Sequence, residues 1–292
     1  MARTDSWLAR TGSRPGPLIP HTAAAEAVSL IDDFGWVPKG LAYAAERHLL
    51  IQCYHGDKLG SALTFIDEPT GEEVNAVYLG GPEGSVSGPV DAGGVAVIGD
   101  DVYVCEEMGD DHGRLWHYSL SRLLEAPRLS IVFAEGPLMG CAGGSYITAD
   151  NGLLYVGSRD SGRLFHYRWT EKYGWDLGYP IGVRTPDCVQ GVVVRPDEFV
   201  FSVSQSRVRP GWLIVQDRVT LRRRAKLRMP NLVEGIAEVD GHILASYSSG
   251  ATEYARLALL QWGKDWHLPV SQRLWPSPRM TRTPLQALRL SS

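Results

Sequence analysis

The chain has 292 residues, a formal net charge of −4 at pH 7 and hydrophobic residues at 44% of its positions. This apolar fraction is ordinary for a protein with a sizeable core, and the slight acidity argues against a strongly basic nucleic-acid binder. Because there is no run of about 18 apolar residues and no apolar signal-peptide core, neither a membrane span nor an export signal is predicted. We therefore expect a cytoplasmic protein, or a secreted one that has lost its signal peptide.

The N-terminal residues 1–22 are rich in Gly, Pro and Arg and show no hydrophobic period, which predicts a flexible arm. The first plausible strand covers residues 23–33. Residues 23–292 are predicted to form a single domain. Within it, residues 254–279 form an irregular, tryptophan-containing insertion that we interpret as a lid over a pocket or a subunit contact, with the lid preferred.

The segment from 91 to 119 has an order of elements that recurs about fifty residues later. In the first copy, Ala-Gly-Gly ending at Gly94 precedes an apolar strand, a Gly-Asp-Asp turn, a return strand and the hexapeptide GRLWHY ending at Tyr118. In the second copy, Ala-Gly-Gly ending at Gly144 precedes a strand, an Asp-Asn-Gly turn, a return strand and GRLFHY ending at Tyr167. A repeat of this period made of short strands is typical of a β-propeller blade.

Five such units are predicted, each with a glycine at the start of its first strand. These glycines are Gly40, Gly94, Gly144, Gly191 and Gly235. Residues 129–133 are predicted to be the fourth strand of unit two, and residues 181–183 that of unit three. The last unit is incomplete, so we expect residues 280–290 as its third strand and residues 23–33 as its fourth. The fold prediction is an all-β, five-bladed propeller with four-stranded antiparallel blades, closed by an N-terminal strand. A six-bladed propeller remains an alternative if residues 254–275 contain a further short blade.

Several of these strand starts carry short motifs: Pro38-Lys-Gly40, Asp91-Ala-Gly-Gly94, Val189-Gln-Gly191 and Val233-Glu-Gly235. They resemble the PxG, HAGG, VQG and AEG strand starts of an uncharacterised actinobacterial β-propeller group, related to the strictosidine-synthase-like and SMP-30/NHL propellers. The resemblance covers most of residues 23–292 and implies the propeller fold. The metal-ligand pattern of SMP-30 lactonases is not recognisable, so the resemblance does not imply their activity.

In a propeller, first strands begin and second strands end on the same face, around the axis. We call the axial opening of that face the axial mouth. Aligning the units on their glycines brings polar side chains there, which is typical of a ligand site. The predicted catalytic residues are Asp91, Glu106, Glu107, Arg159 and Glu234. The predicted ligand-binding residues are Lys39, Tyr54, His55, Gln190, Gln205, Tyr247 and Trp262. The alternative is that these loops are polar only because they face water.

Two kinds of chemistry are open to this cluster. Crowded carboxylates raise one another's pKa and a nearby arginine lowers it, so the cluster could contain both a general acid and a general base. Alternatively, Asp91, Glu106 and Glu234 could hold Ca²⁺ or Mg²⁺, although Lys39 and Arg159 could neutralise these acids instead. We expect no metal and no other cofactor.

The four cysteines are Cys53, Cys105, Cys141 and Cys188, and none forms a C-x-x-C pair. Zinc binding and a disulfide framework are therefore not indicated, and we interpret the cysteines as small packing residues near the axis. The basic run from Arg218 to Arg228 could touch phosphate but is better explained as a solvated sheet edge.

The leading functional prediction is an enzyme of small-molecule metabolism: a hydrolase, a lyase or a cyclase-like isomerase. The alternative is a propeller that binds a ligand or another protein without catalysis, since this fold hosts both. The expected partner is a small molecule, or another protein if the propeller only mediates protein binding. Neither a nucleic acid nor a membrane is expected as a partner.

Overall fold

The computed structural model describes residues 19–20, 36–56, 60–83, 87–109, 111–136, 139–170, 174–177, 182–206, 209–251 and 280–289. The first half of the chain supplies β1 (Ile19–Pro20), β2 (Val37–Ala44), β3 (Leu49–His55), β4 (Ala62–Asp67), β5 (Glu73–Pro82), β6 (Ala92–Ile98), β7 (Asp101–Gly109), β8 (His112–Ser119), β9 (Ile131–Ala134) and β10 (Met139–Ala142). The second half supplies β11 (Tyr146–Asp150), β12 (Leu153–Ser158), β13 (Arg163–Thr170), β14 (Gly174–Leu177), β15 (Val183–Arg184), β16 (Val189–Val194), β17 (Glu198–Val203), β18 (Gly211–Asp217), β19 (Arg223–Met229), β20 (Val233–Val239), β21 (His242–Tyr247) and β22 (Thr281–Pro284).

These strands form five sheets arranged in a ring, which confirms the predicted five-bladed propeller. Blade one has the order β2-β3-β4-β5-β9, blade two β6-β7-β8-β10, and blade three β11-β12-β13-β14 with β15 also on β13. Blade four has the order β16-β17-β18-β19, and blade five β20-β21-β22-β1. The first strands of adjacent blades contact one another around the axis. Because each blade is covered on both faces by its neighbours, inner strands such as β16 are buried along their whole length.

The outer strand of blade two differs from the prediction. Residues 129–133 were expected there, but β9 pairs in parallel with β5 of blade one, and β10 is the fourth strand of blade two. The chain turns at Leu129, whose φ is +62° and whose N–H donates to Ala76 of β5. Val132 and Ala134 then pack into a core shared with blade one. Burial of these apolar side chains therefore favours the neighbouring blade.

The fourth strand of blade three was expected at 181–183. In the structure β14 is the fourth strand, and the short β15 pairs with the other end of β13. The prediction therefore located only the second of two pieces that cover β13. Both pieces are antiparallel to β13, so the blade keeps the expected strand direction.

The last blade closes with an N-terminal strand, as predicted, but with different residues. β1 pairs with β22, so Ile19 and Pro20 lie within the predicted arm and supply the closing backbone. The predicted closing strand at 23–33 lies outside the described residues, as do Trp262 and the whole insertion at 254–279. Of the predicted third strand at 280–290, only Thr281–Pro284 is a strand, and the chain continues from Leu285 as a short helix.

Two short α-helices, α1 (Leu120–Glu125) and α2 (Leu285–Arg289), follow the third strands of blades two and five. In α1 the side chain of Ser119 accepts a hydrogen bond from the N–H of Arg122, which caps the first turn. Leu123 of α1 and Leu288 of α2 are buried against neighbouring blades. No helix in the described part of the chain has the length and apolarity needed to cross a membrane.

Arginines link neighbouring blades at four of the five seams between described residues. The contacts join Arg47 to Asp100 at 3.1 Å, Arg195 to Glu238 at 3.0 Å, Arg282 to Glu68 at 3.2 Å, and Arg218 to the hydroxyl of Tyr155 at 2.7 Å. At the seam between blades two and three, the ring of Tyr103 instead packs edge-on against Trp175. The Arg47–Asp100 pair is exposed, and such a pair contributes little stability by itself. Because all these contacts cross from one blade to the next, we regard them as setting the relative position of the blades.

The glycines at the starts of the first strands are required because the blades touch backbone to backbone at the axis. A Cβ atom on Gly235 would lie 2.3 Å from the N of Leu41, and one on Gly40 would lie 2.4 Å from the Cα of Gly94. A Cβ on Gly94 would lie 2.9 Å from the N of Ile147. These atoms belong to the backbone of the next blade and cannot move independently, so a side chain at any of these positions would force blades apart.

We expect Gly235→Ala to destabilise the protein by about 1–3 kcal/mol or more, because overpacking against backbone cannot be relieved by a rotamer change. The matched control is Gly140→Ala on β10, where an added Cβ has no neighbour within 4 Å. Chemical denaturation of both variants would measure the difference. Equal midpoints for the two variants would contradict the proposed close contact at the axis.

Candidate functional site

A β-bulge shapes the axial mouth in four of the five blades. Strand pairing shifts in register between Pro38 and Leu41, between Ala92 and Gly94, between Val189 and Gly191, and between Val233 and Ile236. The bulged positions that precede the axial glycines are Lys39, Gly93, Gln190 and Glu234. A bulge re-aims the side chain it carries. The positions that the alignment on glycines grouped together are therefore structurally equivalent in these four blades.

Strand pairing also corrects the prediction for the end of the second strand in blade four. Tyr54, Glu106 and Tyr247 pair with the residues two before their axial glycines, and in blade four that partner is Val203. The residue of blade four that corresponds to His55 is therefore Ser204, and the predicted Gln205 lies one residue too far along the chain. Gln205 is exposed and accepts a hydrogen bond from Arg209 at 3.2 Å.

Glu234 is the most buried carboxyl group at the mouth, with 5% of its surface exposed. The hydroxyl of Ser248 donates to its Oε1 at 2.8 Å, while its Oε2 has no hydrogen-bond partner among the described residues. Burial raises the pKa of Glu234, and the charge of Asp91 adds to this. The charges of Lys39 and Arg159 and the Ser248 hydrogen bond oppose it. The mouth therefore brings Asp91, Lys39 and Arg159 within electrostatic reach of Glu234.

His55 and Asp91 form an ion pair across blades one and two. The Nδ1 of His55 lies 3.2 Å from Oδ1 of Asp91 and 3.1 Å from the carbonyl oxygen of Val90. Because both neighbours are acceptors, Nδ1 carries the proton, which leaves Nε2 of the neutral ring as the basic nitrogen. The Asp91 hydrogen bond raises the pKa of His55, although burial and Lys39 oppose the shift, and the hydrogen bond to His55 lowers the pKa of Asp91.

Glu106 was predicted to be an acid at the open mouth, but the structure gives both of its oxygens partners. Oε1 accepts from the N–H of Val90 at 2.8 Å and from that of Asp91 at 3.4 Å, and Oε2 accepts from the indole N–H of Trp116 at 3.1 Å. Glu106 and Trp116 are both buried. Glu106 therefore supports the fold, since its removal would leave three N–H donors without a partner.

Glu107 and Arg159 are joined through Ser145. The hydroxyl of Ser145 donates to Oε2 of Glu107 at 2.8 Å and accepts from the backbone N–H of Arg159 at 2.8 Å. The exposed guanidinium of Arg159 makes no hydrogen bond within the described residues. Blades two and three are thus tied together at the mouth, with one cation held at the rim.

The other predicted ligand-binding residues divide into two groups. Tyr54 and Tyr247 are interior side chains, and their hydroxyls bond to Thr64 at 3.3 Å and to Thr281 at 2.6 Å. Gln190 is 9% exposed, yet its amide has no hydrogen-bond partner in the described part of the chain. Of these three, Gln190 has the polar atoms left to bind a ligand.

The cysteines behave as packing residues. Cys53 and Cys105 are fully buried, and burial raises the pKa of both thiols. Burial also raises the pKa of Cys141 to about 12. These three groups therefore stay protonated at neutral pH and are poor nucleophiles.

Sequence reasoning missed Ser145, and one signal for it was present. In blade two the axial Gly94 is followed by an apolar residue, Val95, that enters the core, whereas Gly144 is followed by Ser145. A serine at a repeat position that is apolar in blade two indicates that its hydroxyl makes a specific hydrogen bond. Among the residues described, no three His, Cys, Asp or Glu side chains are grouped so that they could hold a metal ion.

No protein-family model matches the sequence, and no curated protein matches it closely enough to indicate a relative. Among solved structures, glutaminyl cyclase from Myxococcus xanthus is 14% identical, with a TM-score of 0.47 and coverage of 91% of this chain and 92% of that chain. The GH43_1 enzyme from Xanthomonas citri is 11% identical, with a TM-score of 0.46 and coverage of 90% and 93%. Hydrazine synthase from Kuenenia stuttgartiensis is 13% identical, with a TM-score of 0.39 over 81% of this chain and only 58% of that chain. These similarities do not assign an activity to this chain.

We expect Glu234→Gln to raise the melting temperature at pH 7.5 by about 2 °C or more. A carboxyl with a raised pKa binds its proton more tightly in the folded state, so folding stability falls as pH rises from the unfolded to the folded pKa. The amide keeps the bond from Ser248 without the buried charge. The gain should vanish near pH 4, and the exposed control Glu72→Gln should show no gain. An unchanged or lower melting temperature at pH 7.5 would contradict this account.

Proposed function

We propose that the protein is an enzyme that acts on a small polar molecule at the axial mouth by acid/base chemistry. One observation carries the proposal: one oxygen of Glu234 is anchored by Ser248, while its other oxygen and the amide of Gln190 in the neighbouring blade have no partner among the described residues, although neither residue is more than 9% exposed. Neither group is among the fully enclosed side-chain atoms that lack a partner, so both can be reached from outside the protein. A bound molecule would supply the partners that the described residues do not.

In this proposal His55 is the general base, acting through Nε2, and Asp91 fixes its tautomer and stabilises the imidazolium that forms. Glu234 is the general acid, because burial favours its protonated form. Environments that push the pKa values of two carboxyl groups in opposite directions are typical of an acid and a base within one site, and those of Glu234 and Asp91 move in this way. Arg159 and Lys39 would stabilise negative charge on the reacting molecule.

The donor set also limits the ligand. The open oxygen of Glu234 fits a hydroxyl or amine of the ligand, and the Gln190 amide can both donate and accept. The cations Arg159 and Lys39 favour a ligand with a carboxylate or with an oxygen that becomes negative during the reaction. These requirements fit hydrolysis, elimination or cyclisation of a small oxygen-rich or amine-bearing molecule, and they do not distinguish among the three.

The second candidate is a propeller that binds a partner without catalysis. The observation that favours it is the exposure of apolar side chains near the mouth, since 55% of Val90 and 49% of Met108 are exposed. Exposed apolar residues beside a polar rim are also found at protein-binding surfaces. The enzyme proposal ranks higher because it also accounts for the opposite pKa shifts of Glu234 and Asp91.

The proposal also covers the cofactor, the partner, the location and the relatives of the protein, and the role of Glu107. The reaction is proposed to use side chains alone, without a metal or other cofactor, and the partner to be a small molecule rather than nucleic acid or membrane. A cytoplasmic location rests on the composition. The relation to strictosidine-synthase-like and SMP-30/NHL propellers rests on the strand-start motifs. Glu107 is proposed to hold Ser145 and, through it, the Arg159 backbone.

The test is a turnover screen with small esters, lactones, amides and hydroxy acids, followed by proton NMR between pH 5 and 8. We expect one class to be consumed with a bell-shaped pH dependence. His55→Asn and Glu234→Gln should each lower the rate by about 100-fold or more. The control Glu72→Gln, an exposed residue away from the mouth, should keep the wild-type rate.

Two results would count against the enzyme. Ligand-observed NMR could show binding of one class without turnover, which would favour the second candidate. Alternatively, a wild-type rate in Glu234→Gln would move the reaction away from the axial mouth. Loss of binding in Gln190→Ala with the same ligand would separate ligand recognition from proton transfer.

A further inference from the structure

The short segment 89–92, which leads into β6, is held by an unusual number of hydrogen bonds. Ser61 on blade one donates its N–H to the carbonyl of Pro89 at 3.0 Å. Its hydroxyl donates to the carbonyl of Val90 at 3.2 Å and accepts from the N–H of Ala92 at 3.0 Å. Ser61 is fully buried, so water does not compete for these bonds.

Glu106 holds the same segment from the other side. Its Oε1 accepts from the N–H groups of Val90 and Asp91, and its Oε2 is fixed by the indole of Trp116. The carboxylate is buried together with the indole, so its position is set by packing as well as by hydrogen bonds. The segment is therefore clamped between blade one and blade two.

The clamped segment supplies both acceptors that face Nδ1 of His55, the carbonyl of Val90 and the carboxylate of Asp91. We propose that Glu106 is a positioning residue, which acts through the backbone of residues 90 and 91 to hold these two acceptors against His55. The importance of this role for catalysis rests on the proposed function. The link itself is a property of the folded protein and can be measured without any substrate.

The chemistry of the clamp explains why a carboxylate is needed. Glu106 meets three N–H donors and no acceptor, so both of its oxygens must accept. In Glu106→Gln one oxygen would become an NH₂ group and would face either the Trp116 indole or the backbone donors. Two N–H donors that face each other in a buried site repel each other. The variant would therefore disturb the segment 89–92, although glutamine has nearly the same shape as glutamate. Removing the indole donor as well, in Glu106→Gln/Trp116→Phe, would remove that conflict.

The experiment measures the pKa of His55 by NMR in the full chain. The charged groups that act on His55 are Asp91, which raises its pKa, and Lys39, which lowers it. Asp91→Asn sets the scale by removing the main cause of the shift. We expect Glu106→Gln to lower the pKa of His55 by at least half as much as Asp91→Asn does, and the double variant with Trp116→Phe to restore part of the loss.

The internal control is His166 in blade three, whose pKa is lowered by burial and by Arg168 and Arg218. Its pKa should stay at the wild-type value in every folded variant, because a general loosening of the protein would change it too. Should Glu106→Gln not fold, Ser61→Ala tests the same segment from the other side and should also lower the pKa of His55.

A wild-type pKa for His55 in folded Glu106→Gln, with a lowered value in Asp91→Asn, would overturn the positioning role. If Glu106→Gln does not fold, an unchanged pKa of His55 in Ser61→Ala would overturn the positioning role as well. A confirmed shift combined with full turnover in His55→Asn would support the positioning role while rejecting His55 as the base. The two proposals can therefore fail separately.

Discussion

Contact between backbones at the propeller axis is the constraint on which the rest of the structure depends. The first strands of neighbouring blades approach so closely that Gly40, Gly94 and Gly235 leave no room for a Cβ atom against the next blade. No side chain can point inward at that level, so the first side chains available near the axis are those just before the glycines. The ring of polar groups at the mouth is thus a geometric consequence of five-fold closure.

The bulges complete this arrangement. In each bulged blade an extra residue on the first strand lies next to the axial glycine, and a small residue on the second strand lies opposite. Two such pairs are Gly94 with Cys105 and Gly191 with Ser202. Cys105 is one of these small, buried residues, so packing gives a physical reason for a cysteine whose thiol has no reactive role. The extra residue is the one that becomes a mouth residue, such as Gln190 or Glu234.

The repeat in the sequence was sufficient to predict the blades and the axial glycines, because both depend on local period. It was not sufficient for the outer strands: β9 packs on blade one because burial of Val132 and Ala134 outweighs chain order. It also failed for Glu106, which shares a repeat position with Tyr54 but turns to unpaired N–H groups of its own blade. Such partners come from tertiary contacts, and no spacing in the chain encodes them.

The charges of the mouth act on stability in opposite directions, which is typical of a site shaped by a need other than folding. Ionised Asp91, whose pKa is lowered, contributes stability above the usual aspartate pKa and loses it as pH falls through its folded value. Protonated His55, whose pKa is raised, contributes stability below the usual histidine pKa and loses it as pH rises through its folded value. Glu234 lowers folding stability as pH rises past the usual glutamate pKa, because its buried charge is only partly compensated by neighbouring groups. Folding alone would favour an uncharged residue there, and the proposed transfer of a proton to a ligand gives a reason for a carboxyl group at this position.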